Sequence, residues 1–530
     1  MDGIRRFYAI LLADLLERVR STRFRAAMAL ALGLTWSCFP AIDAGYMILG
    51  INGQYRGAFS SAWVGMVLAM LSIWVSLLGF YVVRGTISRD LDTRVWELLE
   101  TTPLRRAVYL LAKWASHMAV FGLIIGAQLL VGLLAQWVRG EDRSIDLVEL
   151  LKPVLLLSIP SLALTAMFAI WFDIVPWLRR TAGNIAYFAV WVAVLIATVT
   201  TLNGTDLAAG ERSALGDPRG IIAFNQSIHE QVAPQLGGAR LSVCLGCGMG
   251  DKQVRTVEWR NWRIGGADIV GRFAWLGLAI VGVLLCHPFM DRAAAHARAT
   301  ERHSAALAGG RSIAWLGLLL RPLQRSQSGT ILAAELQLTL RQRSLWWWLG
   351  LAVAGAVQLL APPQIAALAV IAAWGLSLDV FARCALREVD SGTAPVVFGA
   401  AHAGRRILLA RWLMLAGVAL ASVLPALLRF TVADAAVALA IVALALSVAT
   451  WALALAALTR SAHAFELAAC ILAYLGITGA PVFHAVAAPA ATMQMHLLAL
   501  PLGLALLGAG WARLHSATPW AAMLPFPAKK

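Results

Sequence analysis

Residues 61–83 read SAWVGMVLAMLSIWVSLLGFYVV, an uninterrupted run without a single charged side chain. A transmembrane helix needs about 20 mostly apolar residues, so this stretch is long enough to cross a lipid bilayer. The whole chain has the same character, since 60% of its 530 residues are hydrophobic and only 14% are charged. Soluble domains are about 45–50% apolar and about 25% charged. The composition therefore excludes an ordinary soluble protein and predicts one embedded in lipid.

Applied along the chain, the same length criterion predicts about twelve spans and an all-α polytopic membrane protein. No cleavable signal peptide is evident at the start of the chain, because charged and apolar residues alternate there without a small-residue cleavage site. The predicted spans lie near residues 26–43, 61–83, 114–138, 150–172, 185–202, 269–289, 345–361, 364–382, 412–429, 434–458, 465–482 and 496–513.

Arginine is concentrated in alternate segments between these spans: the N-terminal segment, the second–third loop, the central linker and the eighth–ninth loop. Basic residues in short loops are retained on the cytoplasmic side, so we expect a multi-pass protein of the bacterial cytoplasmic (inner) membrane with both termini cytoplasmic. The basic clusters are separated by apolar spans instead of forming one folded face. This distribution is typical of contact with the lipid bilayer and argues against a nucleic acid partner.

These signals divide the chain into four parts. Residues 1–25 are predicted to form an amphipathic interfacial helix, and residues 26–290 a first six-helix half. That half contains a long external loop, residues 203–268, which could meet a periplasmic partner. Residues 291–330 are a polar cytoplasmic linker, and residues 331–530 form the second six-helix half.

An internal repeat supports the two halves. The segment Arg89-Asp90-Leu91-Asp92-Thr93 aligns with Arg387-Glu388-Val389-Asp390-Ser391, and Lys113-Trp114 aligns with Arg411-Trp412 at the same offset without a gap. Both copies leave an apolar span, pass through a short charged segment and re-enter the membrane at a basic residue followed by tryptophan. The sequence therefore predicts two six-helix repeats of the same hand, a pattern found in several transporter classes.

The second–third loop, residues 84–114, reads RGTISRDLDTRVWELLETTPLRRAVYLLAKW and predicts a short amphipathic helix that ends before Pro103. From Asp92 to Lys113, with Glu-Leu-Leu, Thr-Thr-Pro and a basic pair, it resembles ATP-binding-cassette permeases of the type-2 exporter class. The resemblance implies a fused two-half permease whose coupling helices dock on separate ATPases. Trp96 and Leu99 would fill an apolar slot of the ATPase, and Glu97 and Glu100 would meet its basic groups.

The resemblance also implies partners and site residues. The partners would be two copies of a cytoplasmic ATPase, or a heterodimer, which would bind the ATP and magnesium. No cofactor is expected on this chain, and we expect no enzyme activity, because the phosphate-binding pattern G-x-x-x-x-G-K-[ST] is missing from the sequence. The candidate ATPase-coupling residues are Arg89, Asp90, Asp92, Trp96, Glu97, Leu99, Glu100, Arg105, Arg106, Arg387, Glu388 and Asp390.

Docking by the second copy is left open, because it lacks the glutamate pair and places Pro395 and Gly399 where the helix should be. Two other classes also stay open. An ion-coupled transporter usually keeps an ionisable residue at mid-membrane depth, whereas the acids here fall near span ends. A membrane glycosyltransferase-like enzyme would need a catalytic acid in an early external loop, and residues 44–60 contain none.

Cys244 and Cys247 lie in the predicted external loop. An oxidising compartment would favour a local disulfide between them, or inert thiols, over a soft-metal contact with Met249 or His229. We therefore expect a possible external disulfide and no metal site.

Overall fold

The chain folds into two units in a computed structural model, residues 1–302 and residues 303–530. The boundary falls inside the segment predicted as the linker. The residues described are 2–40, 46–52, 54–179, 181–204, 217, 219–236, 243–248, 254–295, 317, 320–341, 343, 345–398, 402–477, 485–486 and 488–515.

The first unit is mainly helical, with two short pairs of strands. Its elements are α1 Asp2–Arg20, α2 Thr22–Ser37, β1 Tyr46–Ile51, β2 Tyr55–Gly57, α3 Ser61–Val83, α4 Thr86–Asp92, α5 Val95–Glu100, α6 Arg106–Arg139, α7 Leu147–Pro153, α8 Ile159–Ile174, α9 Thr181–Gly204, α10 Ile221–Val232, β3 Val243–Gly248, β4 Arg255–Val257 and α11 Gly266–Leu284. One turn of π-helix, Val154–Ser158, joins α7 to α8.

The second unit contains only helices in its described part. They are α12 Gln327–Leu340, α13 Leu345–Leu360, α14 Pro363–Leu376, α15 Leu378–Arg383, α16 Arg387–Asp390, α17 Ala394–Val397, α18 Ala403–Ser422, α19 Leu424–Ala433, α20 Ala435–Thr459, α21 Ala462–Ile477 and α22 Pro489–His515. A 3-10 turn, Leu323–Arg325, precedes α12, and another, Cys384–Leu386, joins α15 to α16.

Six of the described helices are long and apolar enough to cross a bilayer: Ser61–Leu91, Arg106–Arg139, Leu147–Ile174, Asp268–Ala295, Ala435–Thr459 and Pro489–Leu514. The total is eight if each of two bent helix pairs counts as one span. A predominantly helical, multi-pass membrane protein is therefore confirmed. The other four predicted spans coincide with shorter apolar helices, within Ala27–Ser37, Ala182–Thr198, Leu345–Leu360 and Ala462–Ala473.

Both bends fall inside predicted spans, near residues 364–382 and 412–429. The pair α14 and α15 bends by 43°, and the pair α18 and α19 bends by 65°. Pro425 lies at the second break, where its ring cannot donate a backbone hydrogen bond and collides with the preceding turn. The bend therefore has a local cause that is visible in the sequence.

The first unit also contains a small four-stranded sheet, which the sequence did not predict. Its strand order is β3-β1-β2-β4, with β1 antiparallel to β2 and β3, and β2 parallel to β4. The strands come from two segments far apart in sequence, residues 46–57 and 243–257. Because paired strands are hydrogen-bonded directly, the loop after the first predicted span and the long loop 203–268 lie on the same side of the first unit.

The opposite end of the first unit gathers the arginine-rich segments. Helix α3 starts next to β2 and, at about 1.5 Å per residue, carries the chain roughly 35 Å away from the sheet. At the far end Arg106 pairs with Asp291 at 2.6 Å, and Arg179 donates to the carbonyl of Ala293 at 3.1 Å. The sheet and the loop of α4 and α5 are therefore at opposite ends of the spans.

The loop of α4 and α5 rests on a buried apolar cluster drawn from five helices and the residues after α11. Because this cluster supports α4 and α5 from below, their backbone is held by packing as well as by hydrogen bonds. Its buried members are Ile87, Leu91, Trp96, Tyr109, Leu110, Ile170, Ile174, Val283, Cys286, Met290, Ala293 and Ala294.

Helices α3 and α7 pack closely at Gly65, where α3 approaches the backbone of α7. A Cβ atom added at Gly65 would lie 2.3 Å from the backbone oxygen of Leu150. We expect Gly65→Ala to lower the free energy of unfolding of the purified protein by about 1–3 kcal/mol, because a backbone atom must move. The matched control is Gly122→Ala in α6, where no atom lies within 4 Å. Equal thermal stability of the two variants in detergent would contradict this packing.

Candidate functional site

A buried charge cluster lies beneath the loop of α4 and α5, where α1, α4 and α6 meet. The Lys113 ammonium is 3.1 Å from Asp14 Oδ1 and 2.8 Å from Asp90 Oδ2. Tyr109 donates its hydroxyl proton to Asp90 at 2.8 Å, and Ser116 donates to Asp14 at 2.6 Å. One cation, on α6, therefore holds α1 and the loop of α4 and α5 together.

Asp14 is the link between this cluster and α1. Arg18, one turn further along α1, is 3.1 Å from the Asp14 carboxylate. Burial opposes the charged form of Asp14, but Arg18, Lys113 and the Ser116 hydroxyl lower its pKa to about 2. The carboxylate is therefore ionised at any physiological pH and keeps its ion pairs.

The second unit contains a matching cluster under α16. Arg411, on α18, is 1% exposed and lies 3.1 Å from Glu335 of α12. It also donates to the carboxylate of Glu388. Arg387 bonds the other oxygen of Glu335 at 2.7 Å and the hydroxyl of Thr339 at 2.5 Å. The arrangement is the same in both units. Lys113 on α6 joins α1 to α4, and Arg411 on α18 joins α12 to α16.

The two clusters use residues that the sequence alignment paired. Asp90 aligns with Glu388 and Lys113 with Arg411, and each acid forms an ion pair with the base of its own unit. The aligned Arg89 and Arg387 also have similar roles. Arg89 pairs with Glu17 on α1, and Arg387 pairs with an acid on α12.

A third tie joins the loop to α8. The carboxylate of Asp173, fully buried at the end of α8, accepts hydrogen bonds from the backbone of Gly85 at 3.0 Å and Ile87 at 3.1 Å. Gly85 has φ of +92°, which favours glycine and turns the chain into α4. Arg84 lies 3.8 Å from Asp173 and also donates to the carbonyl of Leu178 and the side chain of Asn184.

Helix α5 is amphipathic as predicted, but the residues on its buried and exposed sides are not those expected for docking. Trp96 is only 3% exposed and its ring centre lies 5.1 Å from that of Tyr109, so it cannot fill a slot in a partner. Leu99 packs partly against the same buried cluster, whereas Leu98 is 70% exposed. Trp96 is therefore an anchor for the helix, and Leu98 is the most exposed apolar side chain among the described residues of α5.

The remaining predicted coupling residues of the first loop have different surroundings. Glu97 is half-buried, and Arg105, immediately before α6, is exposed. Arg106 forms an ion pair with Asp291. The side chains of Asp92 and Glu100 lie outside the described part of the structure.

The second loop forms two short helices, α16 and α17, although proline and glycine were expected to interrupt a helix there. Its predicted residues Arg387 and Glu388 belong to the buried cluster, and Asp390 is exposed. Val396 of α17 is 83% exposed. It occupies the same alignment position as Leu98, so both loops present an aliphatic side chain at one register.

Sequence reasoning missed the acids on the preceding helices, Asp14 and Glu335, and the capping carboxylate of Asp173. A signal for Asp14 was present, because it follows Phe7 and Ile10 at helical spacing on the apolar side of α1. A lone carboxylate on an apolar stripe needs a buried partner. No comparable local pattern identifies which base that partner is.

Cys244 and Cys247 lie on β3, with Cys244 opposite Gly50 and Cys247 opposite Met47. Residues three apart in an extended strand have Cα atoms roughly 10 Å apart. A disulfide needs less than about 7 Å between them, so the strand corrects the expectation of a local bridge. Their side chains lie outside the described part of the structure. Among the described residues, no group of three or more histidine, cysteine, aspartate or glutamate residues is suited to a metal ion.

No family model, curated protein or solved structure matches the chain.

Proposed function

We propose that the chain is the transmembrane permease subunit of an ATP-driven exporter, with separate ATPase subunits docking on the α4–α5 loop and on the α16–α17 loop. The observation that carries the proposal is the combination of a firmly attached loop with an outward-facing apolar tip. Leu98 projects from α5 while Trp96 beneath it is buried. An exposed aliphatic residue on a rigid base is suited to fill a pocket in a partner.

Three attachments allow the α4–α5 loop to transmit movement. Asp90 joins it to α6 through Lys113, Asp173 joins it to α8, and Arg89 joins it to α1 through Glu17. A partner that moved Leu98 would therefore move two long apolar helices and the N-terminal helix together. Rigid coupling of this kind converts a local displacement into rearrangement of packed helices.

The second loop supports a paired arrangement. Its charge cluster repeats the acid–base pair of the first unit, and Val396 repeats the exposed position of Leu98. We infer two six-helix halves, in which the four shorter apolar helices and the two bent pairs complete about twelve membrane crossings. Each half would then receive one ATPase, either identical or different.

Orientation follows from the ends of the first unit. The arginine-rich segments around α1, α4 and α5 meet at one end, and the sheet lies at the other. Under the positive-inside rule the loop end faces the cytoplasm, where ATP and magnesium would be bound by the partner. The sheet and α10 would then face the periplasm of a bacterial inner-membrane protein, and both termini would be cytoplasmic.

Co-purification tests this function. The full chain is co-expressed with cytoplasmic ABC ATPases, and we expect Leu98→Glu to reduce ATPase recovery at least roughly tenfold, because a charge would enter the apolar contact. Val396→Glu tests the second loop in the same way. The matched control is Ile145→Glu, which changes another exposed apolar residue at the sheet end of the first unit, where Ser144 and Asp146 bond Ser61.

The outcomes separate the docking role from the exporter assignment. Loss of ATPase with Leu98→Glu and normal recovery with Ile145→Glu would support both. Equal recovery with all variants would remove the docking role of the two aliphatic residues. If the wild-type chain recovered no ATPase, the exporter assignment itself would be overturned.

A further inference from the structure

A cleft of about 290 Å³ in the second unit lies between α12 and the first half of α18. Ser328 and Leu332 line it from α12. The other lining residues follow one face of α18 and the residue before it, because they are spaced three or four positions apart: His402, Arg405, Arg406, Leu409, Ala410 and Leu413.

The cleft is basic at one end and apolar at the other. Arg405 and Arg406 are exposed, and neither forms an ion pair with any carboxylate in the described part of the chain. Leu409 and Leu413 are also exposed, further along the same helix face. At about 1.5 Å per residue, Leu413 lies roughly 12 Å beyond Arg405 along the helix. A cleft with a basic end and an apolar end matches an amphiphile, a molecule with an anionic group at one end and hydrocarbon at the other.

The corresponding cleft of the first unit has a different charge balance. It has a volume of about 390 Å³ and is lined by Arg89 and Lys113, but also by the carboxylates of Asp14, Glu17 and Asp90. Its bases are already neutralised by its acids. The cleft of the second unit has no acid among its described lining residues, so only this one carries a net positive charge available to an anion.

We propose that this second cleft binds an anionic phospholipid. Arg405 and Arg406 hold the phosphate, since the planar guanidinium bonds phosphate oxygens through two N–H groups. An acyl chain lies along Leu409 and Leu413. Helix α18 begins a bent pair of membrane-spanning length, which places its first turn at headgroup level and its leucines at the level of the chains. The proposal depends on membrane insertion but not on ATPase docking.

Two features favour a lipid over a soluble phosphate or a protein. Inorganic phosphate has no hydrocarbon that could contact the apolar half of the cleft, Leu409 and Leu413. The basic and apolar residues also follow the axis of a membrane-length helix, which matches the order of headgroup and acyl chain.

Lipid retention tests the site on the intact chain. The protein is reconstituted in nanodiscs of equal phosphatidylcholine and phosphatidylglycerol, extracted into detergent, and its bound lipids are counted by native mass spectrometry. We expect the wild type to retain phosphatidylglycerol preferentially and Arg405→Gln/Arg406→Gln to lower that preference roughly tenfold. Leu409→Ala/Leu413→Ala should weaken retention of the same lipid. The matched control, Arg321→Gln/Arg383→Gln, neutralises two exposed arginines outside the cleft and should retain it normally.

Three results would overturn the proposal. Equal loss with the control variant would show a general effect of charge. Displacement of the lipid by inorganic phosphate, with no effect of the leucine substitutions, would assign the cleft to a soluble anion. Normal lipid retention by Arg405→Gln/Arg406→Gln would show that these arginines do not hold the lipid. Loss of the ATPase by the same variant in the separate co-purification assay would then assign them to protein docking. Because the lipid measurement contains no ATPase, its failure is distinguishable from failure of the exporter assignment.

Discussion

Replacing Arg411 by methionine is expected to lower the free energy of unfolding by about 3–5 kcal/mol, the usual cost of removing one partner from a buried ion pair. The substitution keeps the volume of the side chain roughly constant but removes the cation between Glu335 and Glu388. Both carboxylates would then lose a partner in a poorly solvated site. Thermal unfolding of the purified chain in detergent measures the change.

Two further variants separate charge from packing. Arg411→Lys keeps the positive charge but not the forked geometry, so we expect a smaller loss. Arg411→Met/Glu388→Gln also removes the negative charge of Glu388, which the methionine variant leaves without Arg411, and should recover part of the lost stability. If the single methionine variant were as stable as the wild type, the cluster would contribute nothing to the fold of the second unit.

Removing the buried carboxylate of Asp173 is expected to have a comparable effect in the first unit. Asp173→Leu leaves the backbone N–H groups of Gly85 and Ile87 without this acceptor and removes the carboxylate that lies 3.8 Å from the guanidinium of Arg84. We expect a loss of about 3 kcal/mol or more in detergent. Because this carboxylate joins α8 to α4, the variant should also transmit movement of the loop less well.

Asp173→Asn provides the matched comparison. The amide oxygen still accepts a hydrogen bond from the backbone, but the charge that faces Arg84 is gone. We therefore expect intermediate stability. If an ATPase docks on this loop as proposed, the stimulation of its ATP hydrolysis by the reconstituted chain should fall in the order wild type, asparagine, leucine. Full stimulation by a folded leucine variant would show that this tie is structural only.

The candidate site was predictable where its signal is local. The alignment of Asp90 with Glu388 and of Lys113 with Arg411 came from sequence. In the structure Asp90 forms an ion pair with Lys113, and Glu388 forms one with Arg411. The amphipathic character of α5 was also predictable from residue spacing. The roles of its residues were not, because spacing distinguishes two faces of a helix without showing which face is already covered by the same chain.

The sequence by itself determined the membrane class and the positions of the apolar helices, because the hydrophobic effect acts on each segment of about 20 residues separately. It also located the charged loops, since basic residues interrupt those segments. Only the tertiary structure decided that Trp96 is buried and Leu98 exposed, that Asp173 caps the start of α4, and that segments 46–57 and 243–257 form one sheet. These features depend on contacts between residues far apart in the chain, and no local pattern of hydrophobicity or charge specifies which distant partner a buried group will meet.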